Sequence, residues 1–214
     1  MLIKNNQKKT QMKEIRQSND VEIRQDGEVT TVVGWGAVFD VESRMIYEGG
    51  KLFKEVIERG AFDEVLSRID DLNVIANRDH DNTKMLARSR SKTLSLSTDD
   101  KGLRYEFQLP NTTLGRDTLE MMQRGDLNES SFAFSVDKGD EVWSRGQDGV
   151  PIRKIKRVSG LYDVAIVTTG AYPTTDVSTA LRSLEEFEKR ESSSTKQELD
   201  EYYINLKNDF YGKV

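Results

Sequence analysis

The hexapeptide NRDHDN, Asn77 to Asn82, carries the only histidine in 214 residues, set between Asp79 and Asp81. Imidazole is the side chain that takes up and returns a proton near neutral pH, and a carboxylate beside it can fix its tautomer. Further along, SSFAFSV, Ser130 to Val136, interleaves serines with phenylalanines. On an extended strand Phe132, Phe134 and Val136 fall on one face, and Ser131, Ala133 and Ser135 on the other. The small-residue face leaves room for a substrate. A serine hydroxyl becomes a nucleophile only when a neighbouring base takes its proton, and His80 is the one imidazole available. By residue type alone, the same segments also fit a solvated turn histidine, aspartates bonding their own backbone, and an ordinary half-buried strand.

Composition narrows the chemistry. With no cysteine there is no disulfide framework, thiolate zinc site or cysteine nucleophile, and a single histidine is too few for the usual zinc ligand sets. Metal catalysis is therefore a weak reading. The formal charge of −5 argues against general nucleic-acid binding. Apolar runs such as DVAIVTTGAY are too short to span a bilayer, and the first 20 residues lack the apolar core of a signal peptide, so no membrane role is expected.

Three textures divide the chain: a basic, flexible N-terminal arm over 1–20, a body over 21–182, and a charged, partly helical or disordered tail over 183–214. In the body, alternating runs flank Asp26-Gly27, which predicts a hairpin. Phe62, Val65, Leu66 and Ile69 are at helical spacing, and LNVIAN reads as a short buried strand leading into His80. A second hairpin is predicted in TLSLSTDDKGLRYEFQL. A helix follows it, with Thr112 or Thr113 as N-cap and Gly125 as its stop. Two further β runs, SSFAFSV and LYDVAIVTT, are separated by a loop at Gln147-Asp148-Gly149 and the charged run IRKIKRV. About seven strands with two or three helices predict an α+β fold, a mostly antiparallel barrel or sandwich carrying helices.

From about Val29 to Ala180 the landmarks resemble, in order, those of the tailed-phage prohead serine proteases, capsid-maturation enzymes related in fold to the herpesvirus assemblins. VVGWGAVFD is similar to the family's glycine, aromatic and aspartate signature, and ERGAFDEVL to its helix start. Asp79-His80-Asp81 stands where the family has Asn-His-Asp. DDKGLRYEFQLPNTTLGRDTLEMMQRGDL resembles its hairpin and glycine-terminated helix, SSFAFSV its nucleophile strand, and LYDVAIVTTGAYPTTDV its closing strand. This chain departs from the pattern at Asp79, Ala87, Ala133 and Gly170, where the family has asparagine, glycine, glycine and proline.

The resemblance implies a herpesvirus-protease-like β-barrel and a serine endopeptidase acting inside the assembling prohead in the host cytoplasm. Its substrates would be the scaffold, the major capsid protein and the chain itself. Carried over residue by residue, Ser131 is the nucleophile, His80 the general base and Asp163 the third member. Ser130 stands as a substitute for Ser131, and Asp79 or Asp81 for Asp163. Backbone amides near Arg145-Gly146 are the expected oxyanion donors. No nucleic-acid, membrane or cofactor partner is implied, and a homodimer is left open. Two rival readings are a capsid-assembly protein that keeps the fold with weakened catalysis, and a hydrolase built on paired acids such as Asp79 and Asp81, or Glu55 and Glu58.

Overall fold

The computed structural model describes residues 13–18, 21–168, 180–194 and 201. The arm up to Met12, the end of the closing strand's motif after 168, and the tail beyond 194 apart from residue 201 lie outside the described residues. Thirteen strands, three α-helices and one 3-10 turn make an α+β fold among them.

The strands are β1 (Glu14–Ser18), β2 (Val21–Asp26), β3 (Val29–Val38), β4 (Ile46–Glu48), β5 (Lys51–Ile57), β6 (Ile75–Arg78) and β7 (Asp81–Arg88). They continue as β8 (Leu94–Thr98), β9 (Gly102–Gln108), β10 (Glu129–Ser135), β11 (Glu141–Arg145), β12 (Pro151–Ile155) and β13 (Gly160–Val167). Three sheets result, with orders β1-β10-β13-β6-β7, β11-β12-β5-β4 and β2-β3-β9-β8. Most pairings are antiparallel; β13 with β6 and β12 with β5 are parallel. The ladders end at free edges, so these strands form three open sheets and not the closed barrel expected from the resemblance.

Local chemistry accounts for the elements that flank the site. Helix α2 (Thr113–Arg124) starts where the Thr112 side chain accepts the Gly115 N–H at 3.1 Å, and stops at Gly125, φ 82°. Helix α1 (Asp63–Ser67) is a single short turn that buries Val65. The first hairpin pairs Asp26 with Val29, so its loop is Gly27-Glu28, one residue later than predicted. Gly27, φ 60°, occupies the first loop position, where a positive φ is needed.

The core lies where β10 meets β3, β9 and α1. The Phe132 and Phe134 rings stack with centroids 4.6 Å apart, and Phe132 meets Phe62 edge-on at 5.8 Å. Their alternation with serines is therefore the core face of a strand buried on both sides. Opposite Gly34 on β3, the Tyr105 ring fills the space where a Cβ would sit, 2.2 Å from its Cζ.

Two segments depart from the expected division of the chain. Residues 14–18, inside the expected flexible arm, are strand β1, paired antiparallel with β10. Helix α3, residues 180–194, seats Leu184 in a second cluster with Phe53 and Trp143, and runs through Ser192 to Ser194. Amphipathic spacing in such short polar segments gains its stability from a partner surface, which a reading of local composition does not include.

Candidate active site

Ser131 lies in the middle of β10, which pairs antiparallel with β13 so that Ser131 faces Ala165 and Ala133 faces Asp163. Residues two apart on a strand share a face, so Ser131, Ala133, Asp163 and Ala165 sit on one side of the sheet. Beyond β13 runs β6 in parallel, with Ile166 beside Arg78. β6 ends in a two-residue turn, Asp79-His80, across which Arg78 pairs with Asp81.

Both turn residues have positive φ, 58° and 56°, the sign that a type I′ hairpin requires at its two central positions. Aspartate and histidine tolerate this region better than most residues, yet each left-handed residue still costs about 1 kcal/mol. The turn is tied down by the Asp79 N–H, which donates to the Ile166 carbonyl at 3.1 Å. It swings the imidazole back over the β10–β13 face.

There His80 Nε2 is 2.7 Å from Ser131 Oγ, and Nδ1 is 2.6 Å from Asp163 Oδ1. Ser131 has no exposed surface, the Asp163 side chain is 2% exposed and the imidazole 15%. Burial pushes the Asp163 carboxyl up, but the His80 hydrogen bond and charge, followed by Lys13, outweigh it and hold the group below its ordinary value. Asp163 is thus an anion poised to hold an Nδ1–H and to stabilise an imidazolium. Hydroxyl, imidazole and carboxylate in one hydrogen-bonded line can deliver an alkoxide-like oxygen to an acyl carbon.

The family model of the caudovirus prohead serine proteases matches residues 17–190 of this sequence. The chain belongs to this family. At the level of solved structures, the prohead-protease chain is similar to the bacteriophage T4 capsid assembly protease, gp21. Identity is 9% and the TM-score 0.40, over 72% of this chain and 97% of that one. No curated protein matches it.

The other acids and serines considered from sequence are engaged elsewhere. Ser130 points to the opposite face of β10 and donates to the Tyr105 hydroxyl at 3.0 Å, away from the imidazole. Burial there pushes the Tyr105 phenol up, against the smaller opposing effect of Ser130. Asp81 accepts from the Thr83 N–H at 2.9 Å and hydroxyl at 2.6 Å, and Asp79 faces Arg78 at 3.7 Å. Those bonds to Thr83 lower the Asp81 carboxyl. Glu58 is 3.8 Å from Lys154, and Glu55 is bound by Arg16 and Arg153. The Gly146 N–H donates to Val150 O at 2.9 Å within the β11–β12 turn, so it is not free to serve as the expected oxyanion donor.

Beside the three groups lies a buried ionic cluster with no signature in the sequence. Arg153, in the run read as a charged alternating strand, is fully buried. Its guanidinium donates to Glu14 at 2.5 and 3.0 Å, to Glu55 at 2.7 Å, and to Glu141. Arg16 of β1 adds a second guanidinium to Glu55. Burial raises the Glu55 carboxyl, but Arg16 and Arg153 together override that and hold it at about 2. Alternation along IRKIKRV indicates that Arg153 and Ile155 share a face, but the meeting of Arg153 with the three glutamates Glu14, Glu55 and Glu141 depends on how β1, β5 and β11 are placed around β12. Next to Asp163, an open cleft of about 670 Å³ is lined by Lys13, Leu72, Asn73, Asn82 and Tyr162.

Proposed function

We propose that this protein is a serine endopeptidase that cleaves the scaffold, the major capsid protein and itself during prohead maturation in the host cytoplasm. Ser131 is the nucleophile, His80 the general base and acid, and Asp163 the group that orients and charges the imidazole. The observation that carries this reading is the pair of contacts made by the two ring nitrogens of His80, 2.7 Å to Ser131 Oγ and 2.6 Å to Asp163 Oδ1.

In the reaction, Ser131 Oγ adds to the scissile carbonyl carbon as its proton passes to His80 Nε2. The C–N bond then breaks and Nε2 returns the proton to the leaving amine. Water hydrolyses the ester by the same relay, restoring Ser131. Asp163 holds Nδ1–H throughout, so that Nε2 carries the lone pair when Ser131 must be deprotonated. The chemistry is complete without a cofactor.

Co-expression with the capsid protein tests this. Ser131→Ala and His80→Ala each abolish processing on a gel, whereas Ser130→Ala retains it. Full processing by Ser131→Ala or His80→Ala refutes the assignment. Loss in Ser130→Ala alone moves the nucleophile by one residue.

A further inference from the structure

Ser131 is buried because β1 covers it. Its hydroxyl lies 2.7 Å from the Arg16 carbonyl oxygen as well as 2.7 Å from His80 Nε2, and it has one proton to donate. If that proton goes to Arg16, Nε2 must donate to Oγ while Nδ1–H faces the Asp163 carboxylate. That state is imidazolium, which is no base. If the proton goes to Nε2, two oxygen lone pairs face each other at 2.7 Å. In either case an activated Ser131 and a seated β1 exclude one another, and an outside peptide cannot reach an Oγ without exposed surface.

β1 itself has the form of a bound peptide. It is extended and antiparallel to the nucleophile's strand at a sheet edge, with Gln17 opposite Ser131, which is how a strand is added by a peptide ligand. Its charged side chains are seated. Arg16 binds Glu55 through two nitrogens, one at 2.8 Å, and lies 3.9 Å from Glu48, whose Oε1 is buried with no hydrogen-bond partner among the described residues. Glu14, two residues earlier on the same face, receives Arg153. Lys13 reaches across to Asp163 Oδ2 at 2.5 Å. The rest of the fold supplies Glu48, Glu55 and Glu141 against Arg153, so the pocket without β1 holds more acid than base.

We propose that β1 is a tethered occupant of the substrate's place, and that its side chains read out the specificity of the cleft. The cleft takes an extended peptide with arginine at the residue whose carbonyl meets Ser131, seated on Glu55 and Glu48, and with glutamate two residues before it, seated on Arg153. This inference rests on the serine-protease reading above. β1 must leave, or be cut, before a second peptide enters. An uncharged residue in place of the arginine leaves two buried carboxylates short of a cation, which is penalised far more than an exposed mismatch.

The test uses the full-length protein and the blocked hexapeptide Lys-Glu-Ile-Arg-Gln-Ser, the sequence of residues 13–18, with versions carrying alanine for the arginine or for the glutamate. Altering the peptide leaves the enzyme's folding untouched. The parent peptide is expected to be cut between arginine and glutamine. Loss of the arginine lowers kcat/KM by about a hundredfold and loss of the glutamate by about tenfold. Arg16→Ala in the protein weakens the tether and speeds cleavage of the parent peptide, while Ser131→Ala cuts none. A protein that processes its capsid protein yet cuts all three peptides equally, or cuts none even as Arg16→Ala, overturns the specificity. Failure to process either capsid protein or peptide overturns the protease reading, and the specificity with it.

Discussion

Replacing Asp163 by asparagine preserves the shape of the side chain and removes its charge. The carboxylate is 2.6 Å from His80 Nδ1 and nearly fully buried, so the charge centres of an Asp163–imidazolium pair lie about 3 to 4 Å apart. At an effective dielectric near 20, this pair is worth about 4 to 6 kcal/mol, or roughly a thousandfold to ten-thousandfold in rate. A second effect has the same sign. The asparagine amide can donate to Nδ1, which fixes the hydrogen on Nε2 and removes the lone pair that Ser131 needs. The assay is the rate of capsid-protein processing by purified protein, read beside thermal unfolding to show that the variant is folded. A folded Asp163→Asn protein that loses less than tenfold refutes the orienting role and returns the question to Asp79 and Asp81.

Two further outcomes follow from the turn and the ionic cluster. Asp79 holds φ 58° without being glycine, so Asp79→Gly should stabilise the fold by about 0.5 to 1 kcal/mol, raising Tm by roughly 1 to 4 °C, with processing retained; a lower Tm in a melting experiment counts against strain in this turn. Glu55 sits at about 2 in place of its ordinary 4.5, worth about 3 kcal/mol at neutral pH. Because the folded value is the lower one, that stability is complete above pH 4.5 and is lost as the pH falls toward 2. Urea unfolding at stepped pH should therefore show the parent losing about 3 kcal/mol more than Glu55→Gln between pH 5 and 2, and equal losses would disprove the coupling.

Much of the architecture was legible from local chemistry. The Thr112 cap and Gly125 stop bounded α2, and the alternation of SSFAFSV separated a core face from a small-residue face. The single histidine, its place at the end of a strand, and the order of the family landmarks led to His80, Ser131 and Asp163 as candidates. Less legible were residues whose surroundings come from elsewhere. Lys13, Glu14 and Arg16 look like a solvated basic arm, and Arg153 like an exposed strand charge, until β1 and β12 are placed against β10 and β5.

The sequence by itself determined which residue types are available for the chemistry and the bounds of locally marked elements such as α2, because capping, turn and alternation rules act over a few neighbours. Only the tertiary structure decided which serine meets the imidazole, which acid lies behind it, and what covers them. His80 and Ser131 are 51 residues apart and His80 and Asp163 are 83, and their meeting depends on the register of β10 with β13 and of β13 with β6. A shift of one residue between β10 and β13 would put Ser130 in place of Ser131 opposite Ala165, and that register is set by the pairing of two strands distant in sequence.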